Sequence, residues 1–172
     1  QNPIEMEGTY PLPEAQMDRF LFKLKVAFPS LHELKDIMDI TVTNNDVNLE
    51  SILTGEDILS MRSIVREVPM AEAVKEYALK LILATHPESE YSNEFVKKYV
   101  EVGASPRGAQ GLFNGSKVEA ILKGRLNVAF EDINNIAYAV LRHRIFLNFE
   151  AVSEGITTDM VIKEVIKSLK VT

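Results

Sequence analysis

The chain contains no cysteine and no tryptophan, and its 19 Lys and Arg are outnumbered by 25 Asp and Glu. Without cysteine it can form no disulfide, no zinc–thiolate site and no thiol nucleophile. A nucleic-acid grip needs a clustered basic face, which a net charge of −6 without a basic stripe argues against. No apolar run approaches the ~20 residues of a membrane span. The absence of cysteine is compatible with a reducing compartment, and we expect a cytoplasmic protein that binds no nucleic acid and has no membrane span.

Several signatures of self-contained enzymes are missing as well. The sequence has no G-x-x-x-x-G-K-[ST], no G-x-G-x-x-G, no H-E-x-x-H and no G-x-S-x-G. It therefore offers no nucleotide cradle, zinc-protease site or hydrolase triad of its own, and we expect no metal site. It also opens on Gln1 rather than on methionine. We expect a processed or partial chain.

What is present is enough for a folded domain. The 172 residues, 46% of them apolar, fit one domain or one domain plus a piece of another. Residues 1–13 read as loop, because they carry three prolines and a glycine. The alternating apolar side chains of residues 20–28, FLFKLKVAF, predict a strand that ends at Pro29. Since a lone strand is unstable, it would have to join a sheet formed outside this chain.

Helical patterns dominate from Ser30 onward, and five to seven helices are expected. Two of their starts are predicted by capping boxes, Ser30 with Glu33 and Thr54 with Asp57. Ser92 is the predicted cap of a shorter helix.

Two segments carry unusual polar residues. In GASPR, Ser105 suits an N-cap, Pro106 suits the first helical position, and Arg107 follows at once. A cation is disfavoured at the positive end of a helix. The arrangement makes sense if a phosphate docks nearby, because free N–H groups and an arginine both favour an anion. The second segment, QNPIEMEGTYPLPEAQMDRF, places Asn2 near the chain start and Arg19 just before the predicted strand.

These two segments resemble MoxR-type AAA+ ATPases. QNPIEMEGTYPLPEAQMDRF is similar to the stretch that follows the nucleotide site in that family, and GASPR with GRLNVAFEDINNIAYAVLRHRI is similar to its lid. The resemblance covers nearly the whole chain and keeps the order of the motifs. It implies a mainly α fold: residues 1–29 would be the end of the α/β ATPase core, with a loop and a strand remnant, and residues 30–172 the helical-bundle lid.

The resemblance also implies roles for three residues. Asn2 matches the sensor-1 asparagine, which orients the attacking water and reports the γ-phosphate. Arg19, in the DRF motif, matches the arginine finger that reaches the ATP of the neighbouring subunit. Arg107 matches the sensor-2 arginine, which comes from the lid onto the phosphates of its own subunit. Asn2, Arg19 and Arg107 are thus the candidate catalytic residues, and Asn2 and Arg107 are the candidate ATP-binding ones.

At the level of the whole protein, the resemblance implies an ATPase that uses ATP and Mg²⁺. It would assemble as a homo-oligomeric ring, commonly a hexamer, and act as a chaperone-like remodeller of partners, often proteins with a von Willebrand A domain. The phosphate-binding loop and the acidic magnesium motif of the family are absent here. This part alone is therefore expected neither to bind ATP tightly nor to hydrolyse it.

The sequence departs from the family at two further points. Ala129 precedes the EDI helix where the family tends to have a threonine, so that helix lacks a capping side chain, at a cost of about 1 kcal/mol. Gly108, Gly111 and Gly115 lie inside the sensor-2 helix, where each costs up to about 1 kcal/mol against alanine. That helix either packs very closely on a neighbour or is frayed.

Other interpretations stay open. The chain could be a non-catalytic helical interaction module, or the lid of a magnesium-chelatase-like or helicase-like relative. The LRHRI sequence, with Arg142, His143 and Arg144 at the end of a predicted helix over 130–145, is expected to be structural or on the surface. His32 and His86 are expected to face solvent.

Overall fold

The structure is a computed structural model that describes residues 12–42 and 49–169. Asn2 lies outside the described residues. The described chain divides into two compact units: Leu24–Ser63, and residues 12–23 together with 64–169. Within these ranges the elements follow in this order: α1 Glu14–Met17, α2 Leu31–Val42, α3 Gly55–Glu67, α4 Glu72–Leu83, α5 Glu94–Tyr99, β1 Val100–Val102, α6 Pro106–Leu122, α7 Phe130–Leu141, β2 Phe146–Leu147, α8 Phe149–Ser153 and α9 Thr158–Ser168.

Both helices that begin in the Leu24–Ser63 unit have the predicted capping boxes. The Ser30 N–H donates to Glu33 Oε2 at 2.7 Å, and the Glu33 N–H donates back to Ser30 Oγ at 3.3 Å. At the start of α3 the Thr54 N–H donates to Asp57 Oδ2 at 2.8 Å, and the Asp57 N–H donates to Thr54 Oγ1 at 3.2 Å. The two predictions are confirmed, because a capping box depends only on residues three apart in the chain.

The strand predicted over residues 20–28 does not form. The two strands found in the described chain are β1 and β2, which pair antiparallel with Val100 opposite Leu147. Residues 18–23 instead give their backbone groups to the end of α7: the Lys23 N–H donates to the Ala139 carbonyl at 2.9 Å, and several carbonyls accept from side chains described below. Alternation predicts the strand, but the part of the chain that the structure describes offers no neighbouring strand to pair with it.

The larger unit is built around the packing of α6 against α7. Helices α4, α5 and α9 and the β1–β2 pair complete this unit around an apolar core, whose largest fully buried apolar side chains are Leu81, Val96, Leu112, Val128, Ile133, Val140, Leu141, Val161, Ile162 and Val165. An aromatic contact joins α4 to α7, where Tyr77 meets Phe130 edge-on with ring centroids 5.3 Å apart. This packing accounts for the apolar stripes of α4, α7 and α9.

Two cap predictions in this unit were wrong or incomplete. The N-cap of α5 is Asn93, whose side chain accepts from the Val96 N–H at 2.9 Å, and not the neighbouring Ser92. Ala129, the N-cap of α7, has no side-chain acceptor, as predicted. The start of that helix is held from the other side, because the buried Asp132 carboxylate accepts the Ala129 N–H at 2.8 Å and also pairs with Arg125.

The glycines of α6 mark close packing and not a frayed helix. The helix is continuous from Pro106 to Leu122, and Gly108, Gly111 and Gly115 are all buried in it. A Cβ at Gly111 would lie 2.8 Å from Val140 Cγ1, and one at Gly115 would lie 2.7 Å from Ile136 Cγ1. The question that the sequence left open is thereby answered: the missing side chains let α7 approach the α6 backbone.

None of the helices in the described ranges is long and apolar enough to cross a bilayer.

Candidate functional site

Arg107 lies at the start of α6, as predicted. Ser105 is the N-cap, and its Oγ accepts the Arg107 N–H at 3.3 Å, while Pro106 occupies the first helical position. The Arg107 side chain is half exposed, with 52% of its surface accessible. The helix start thus presents a cation to solvent at the positive end of the helix dipole, where an anion is favoured.

The loop that leads into α6 is fixed against the end of α4. The Ala104 N–H donates to the buried hydroxyl of Thr85 at 2.9 Å, and the His86 ring Nε2 lies 3.0 Å from the Ala104 carbonyl. A Cβ at Gly103 would lie 2.6–2.8 Å from atoms of the His86 ring, so glycine is needed for this approach. The prediction that His86 faces solvent was wrong: it is half-buried and supports the backbone just before Ser105.

Asp18 is the carboxylate that meets the start of α6. Its Oδ2 accepts from Arg107 Nη1 at 2.9 Å, and its Oδ1 accepts from Arg144 Nε at 3.1 Å. The Ser105 hydroxyl lies 2.8 and 2.9 Å from the two oxygens. Asp18 is largely buried, with 16% of its side chain exposed. One carboxylate therefore joins the α6 N-cap, the exposed Arg107 and the buried Arg144.

The charges around Asp18 keep it ionised. Burial raises the pKa of Asp18, but hydrogen bonds from Arg107 and Ser105 and the charges of Arg144 and Arg107 outweigh burial, so the pKa lies below its ordinary value. Two guanidinium groups and one carboxylate leave one excess positive charge. This cluster of Asp18, Ser105, Arg107 and Arg144, called the Asp18 cluster below, is suited to an anion on its exposed side.

Arg144 is the buried member of the Asp18 cluster, with only 2% of its side chain exposed. Besides Asp18 Oδ1, it donates to the backbone carbonyls of Asp18 at 2.9 Å, Phe20 at 2.7 Å and Leu21 at 3.2 Å. It also donates to the Val140 carbonyl at the end of α7. A guanidinium has five N–H donors, and these five acceptors match them. Arg144 thereby ties residues 18–21 to α7.

The two residues before Arg144 bind the same segment. Arg142 donates to the Lys23 carbonyl at 2.9 Å and to Asp159 at 3.1 Å. The His143 Nε2 lies 2.9 Å from the Phe20 carbonyl, and the ring is 4% exposed. The LRHRI sequence thus holds residues 18–23 through three consecutive side chains.

The sequence alone does not connect the LRHRI side chains with Arg19 or Arg107. The predicted helix continues to Ile145, which sends Arg142 and Arg144 in different directions. In the structure α7 ends at Leu141, and the next three residues form a turn, so helical spacing no longer applies to them. The signal that could have found them is the run of three basic residues directly after an apolar helix.

Arg19 lies within the segment that these side chains hold. It follows Asp18 and precedes Phe20, the two residues whose carbonyls Arg144 binds, and its own side chain is exposed. Among the described residues no ion pair or side-chain hydrogen bond of Arg19 is found. Both arginines are therefore next to Asp18: Arg19 follows it in the chain, and Arg107 binds its carboxylate.

The hydrogen-bond donors at the start of α6 suit the phosphates of a nucleotide. An exposed arginine fork at a helix start, next to one excess positive charge, fits phosphate oxygens. A metal is a different matter: in residues 12–42 and 49–169 there is no group of three His, Asp or Glu side chains that could hold an ion. These residues can therefore contact phosphate, and they supply no magnesium centre.

Comparison with known proteins places the chain in a class. A family model described as "AAA lid domain" matches residues 93–165, and one described as "ATPase family associated with various cellular activities (AAA)" matches residues 1–22. A crystal structure of a candidate ATPase from Cytophaga hutchinsonii superposes with a TM-score of 0.91 at 37% identity, covering 100% of this chain and 52% of that one. The chain therefore carries an AAA+ lid, and the predicted mainly helical fold is confirmed.

Curated relatives define the family more closely. The chain is 36% identical over 172 residues to chaperone MoxR1 of Mycobacterium tuberculosis, covering 98% of this chain and 45% of that protein. It is 36% identical over 174 residues to the uncharacterized protein YeaC of Bacillus subtilis, at 99% and 51% coverage, and 28% identical over 159 residues to MoxR of Paracoccus denitrificans, at 86% and 47%. The chain belongs to the MoxR-type AAA+ ATPases, and it spans about half the length of these relatives, in their C-terminal part.

Proposed function

We propose that this chain is the lid-bearing portion of an ATPase that couples ATP hydrolysis to chaperone-like remodelling of partner proteins. The observation that carries the proposal is the exposed Arg107 guanidinium at the start of α6, held in a cluster with one excess positive charge. ATP, when bound, would supply the phosphoryl group that is transferred. Arg107 would bind and orient phosphate oxygens from the lid of the same subunit, the role of a sensor-2 residue.

The proposal assigns two further residues. Arg19 acts as the arginine finger of a neighbouring subunit in a homo-oligomeric ring, commonly a hexamer, and Asn2 acts as sensor 1. An arginine finger is worth roughly 10³ to 10⁵ in rate in other nucleotide hydrolases, because it stabilises charge in the transition state. The proposal keeps the cytoplasm as the location, Mg²⁺ as the companion of ATP, and proteins with a von Willebrand A domain as the client class. The described portion alone is not expected to hydrolyse ATP.

The role of Arg107 is tested in the full-length protein. We expect Arg107→Ala to weaken binding of a fluorescent ATP analogue by about tenfold or more, since hydrogen bonds to charged groups contribute about 1.5–3 kcal/mol. Arg107→Lys should recover only part of the affinity, because lysine lacks the planar fork.

The matched control is Arg62→Ala, an exposed arginine of α3. It should bind the analogue as the wild type does. If Arg107→Ala binds as tightly as this control, Arg107 is not a nucleotide contact.

A further inference from the structure

Arg107 is aimed by Asp18 and by little else. Its side chain is 52% exposed, and among the described residues Asp18 is the one acceptor found for its guanidinium, at 2.9 Å from Nη1. A long exposed arginine otherwise samples many rotamers, and fixing one costs conformational entropy. The carboxylate therefore selects the conformation in which Arg107 is presented, while the remaining donors stay open to a ligand.

Asp18 is itself held from behind. Arg144, with 2% of its side chain exposed, donates to Asp18 Oδ1 at 3.1 Å and to the Asp18 carbonyl at 2.9 Å. Ser105 binds both carboxylate oxygens from the α6 N-cap. A buried support of this kind fixes the carboxylate far better than an exposed ion pair could.

We propose that Asp18 is a positioning residue: supported by the buried Arg144, its carboxylate aims Arg107 of the lid at the nucleotide phosphates. The inference rests on the proposed phosphate contact of Arg107. Because Arg19 is the next residue in the chain and Arg144 also binds the carbonyls on either side of it, the same support fixes the backbone from which Arg19 extends.

The opposite role for Asp18 makes the opposite prediction. If the carboxylate competed with phosphate for Arg107, removing its charge would free the guanidinium and tighten nucleotide binding. The geometry favours positioning, because Asp18 occupies one side of the fork and the cluster keeps an excess positive charge.

The experiment is a double-mutant cycle in the full-length protein, read by equilibrium binding of a fluorescent ATP analogue. We expect Asp18→Asn to weaken binding by about tenfold in the wild-type background. In the Arg107→Ala background the same change should have no further effect, since the residue through which Asp18 acts is gone. A merely structural role would instead lower affinity equally in both backgrounds.

Asp18→Glu is the second variant, in case Asp18→Asn does not fold with Arg144 unneutralised. It keeps the negative charge and displaces the oxygens by one methylene, so it should also weaken binding only when Arg107 is present. Hydrogen exchange supplies a readout that does not depend on nucleotide: the backbone amides of residues 19–23 should exchange faster in Asp18→Asn.

Asp132→Asn is the matched control. Asp132 is a buried carboxylate paired with Arg125 at the other end of α7, and its loss should lower stability without changing analogue affinity. Unchanged affinity in Arg107→Ala would overturn the proposed phosphate contact, and the inference with it. Weaker binding in Arg107→Ala, together with unchanged or tighter binding in the Asp18 variants or with additive losses, would overturn the inference alone.

Discussion

Arg144 and His143 are buried polar residues that form hydrogen bonds with backbone carbonyls. Burial lowers the pKa of Arg144, and the neighbouring Asp18 carboxylate opposes that effect. An arginine remains charged even so, and its five donors are matched by five acceptors. His143 has one bonded ring nitrogen, at 2.9 Å from the Phe20 carbonyl, whereas its Nδ1 has no partner in the described chain. These two residues attach residues 18–21 through one permanently charged side chain and one that can titrate.

The titration of His143 should make the stability of the protein depend on pH. Burial lowers the pKa of His143 below its ordinary value of 6.5, the Arg144 and Lys23 charges act in the same direction, and the bond to the Phe20 carbonyl and the Asp18 charge oppose them. A depressed pKa in the folded state means that the unfolded chain takes up the proton first. The free energy of unfolding should therefore fall as the pH falls below the ordinary value towards the folded one.

Urea unfolding at about pH 8 and about pH 5 measures this effect. His143→Phe should lose about 0.5–1.5 kcal/mol at the higher pH, because the Phe20 carbonyl loses one of its two donors, and it should show a smaller drop between the two pH values. The exposed His32 provides the control, and His32→Gln should keep the wild-type drop. An unchanged drop in His143→Phe would contradict the assignment.

The sequence predicts the parts of the site that depend on neighbouring residues. Ser105 as N-cap and Arg107 at the helix start follow from three adjacent residues. Asp18 and Arg144 could not be found in this way, because they lie 87 and 39 residues from Ser105 and meet it only through the packing of α6 and α7. Long-range convergence of this kind has no local signature in one sequence.

At the scale of elements, α6 and α7 are matched by small residues on one and branched ones on the other. Gly111 faces Val140, and Gly115 faces Ile136. A Cβ placed on Gly115 would also lie 3.4 Å from the Phe22 ring. Three glycines lower the intrinsic helix propensity of α6 by up to about 1 kcal/mol each. Close packing offsets that cost and explains why the helix is continuous.

The element-scale prediction is that Gly115→Ala destabilises the protein despite the better helix propensity of alanine. The new Cβ would lie 2.7 Å from Ile136 Cγ1, in the middle of a branched side chain on α7 that cannot swing away easily. Overpacking costs about 1–3 kcal/mol and propensity returns about 1 kcal/mol at most, so a net loss is expected in chemical unfolding.

Gly55→Ala is the control for this prediction. Gly55 begins α3, and no atom lies within 4 Å of a Cβ placed there. The substitution should be neutral or slightly stabilising. A Gly115→Ala variant as stable as Gly55→Ala would contradict the close-packing explanation.

The sequence predicts the helices better than the strand, for a physical reason. Helices and their caps depend on periodicity and on residues three or four apart, so α2, α3, α6 and α7 were found with their starts. The strand over residues 20–28 needed a partner, and residues 18–23 use their backbone groups on α7 instead. Alternation alone does not tell a paired strand from an extended segment bound by side chains.

At the scale of the whole molecule, the proposed function assigns two arginines of this chain to two different nucleotide sites. In the proposed ring, Arg107 serves the site of its own subunit, whereas the exposed Arg19 serves the site of a neighbour. A cyclic ring has head-to-tail interfaces, so every site combines residues of two subunits. In this proposal Asp18, which is bonded to Arg107 and adjacent to Arg19, would link the two sites through one short segment.

The final prediction tests this division by mixing two variants of the full-length protein at an ATP concentration well below that which Arg107→Ala subunits bind. Arg19→Ala subunits retain Arg107, and Arg107→Ala subunits retain Arg19. When they co-assemble, a site on an Arg19→Ala subunit is complete wherever its neighbour is an Arg107→Ala subunit. Random equal mixing makes about one quarter of the sites complete, so ATPase activity should rise from near zero to about a quarter of wild type. The Arg19→Ala/Arg107→Ala double variant mixed with Arg19→Ala should stay inactive, because that mixture contains no Arg19. No recovery in the first mixture would show that the two arginines act on the same site from one subunit.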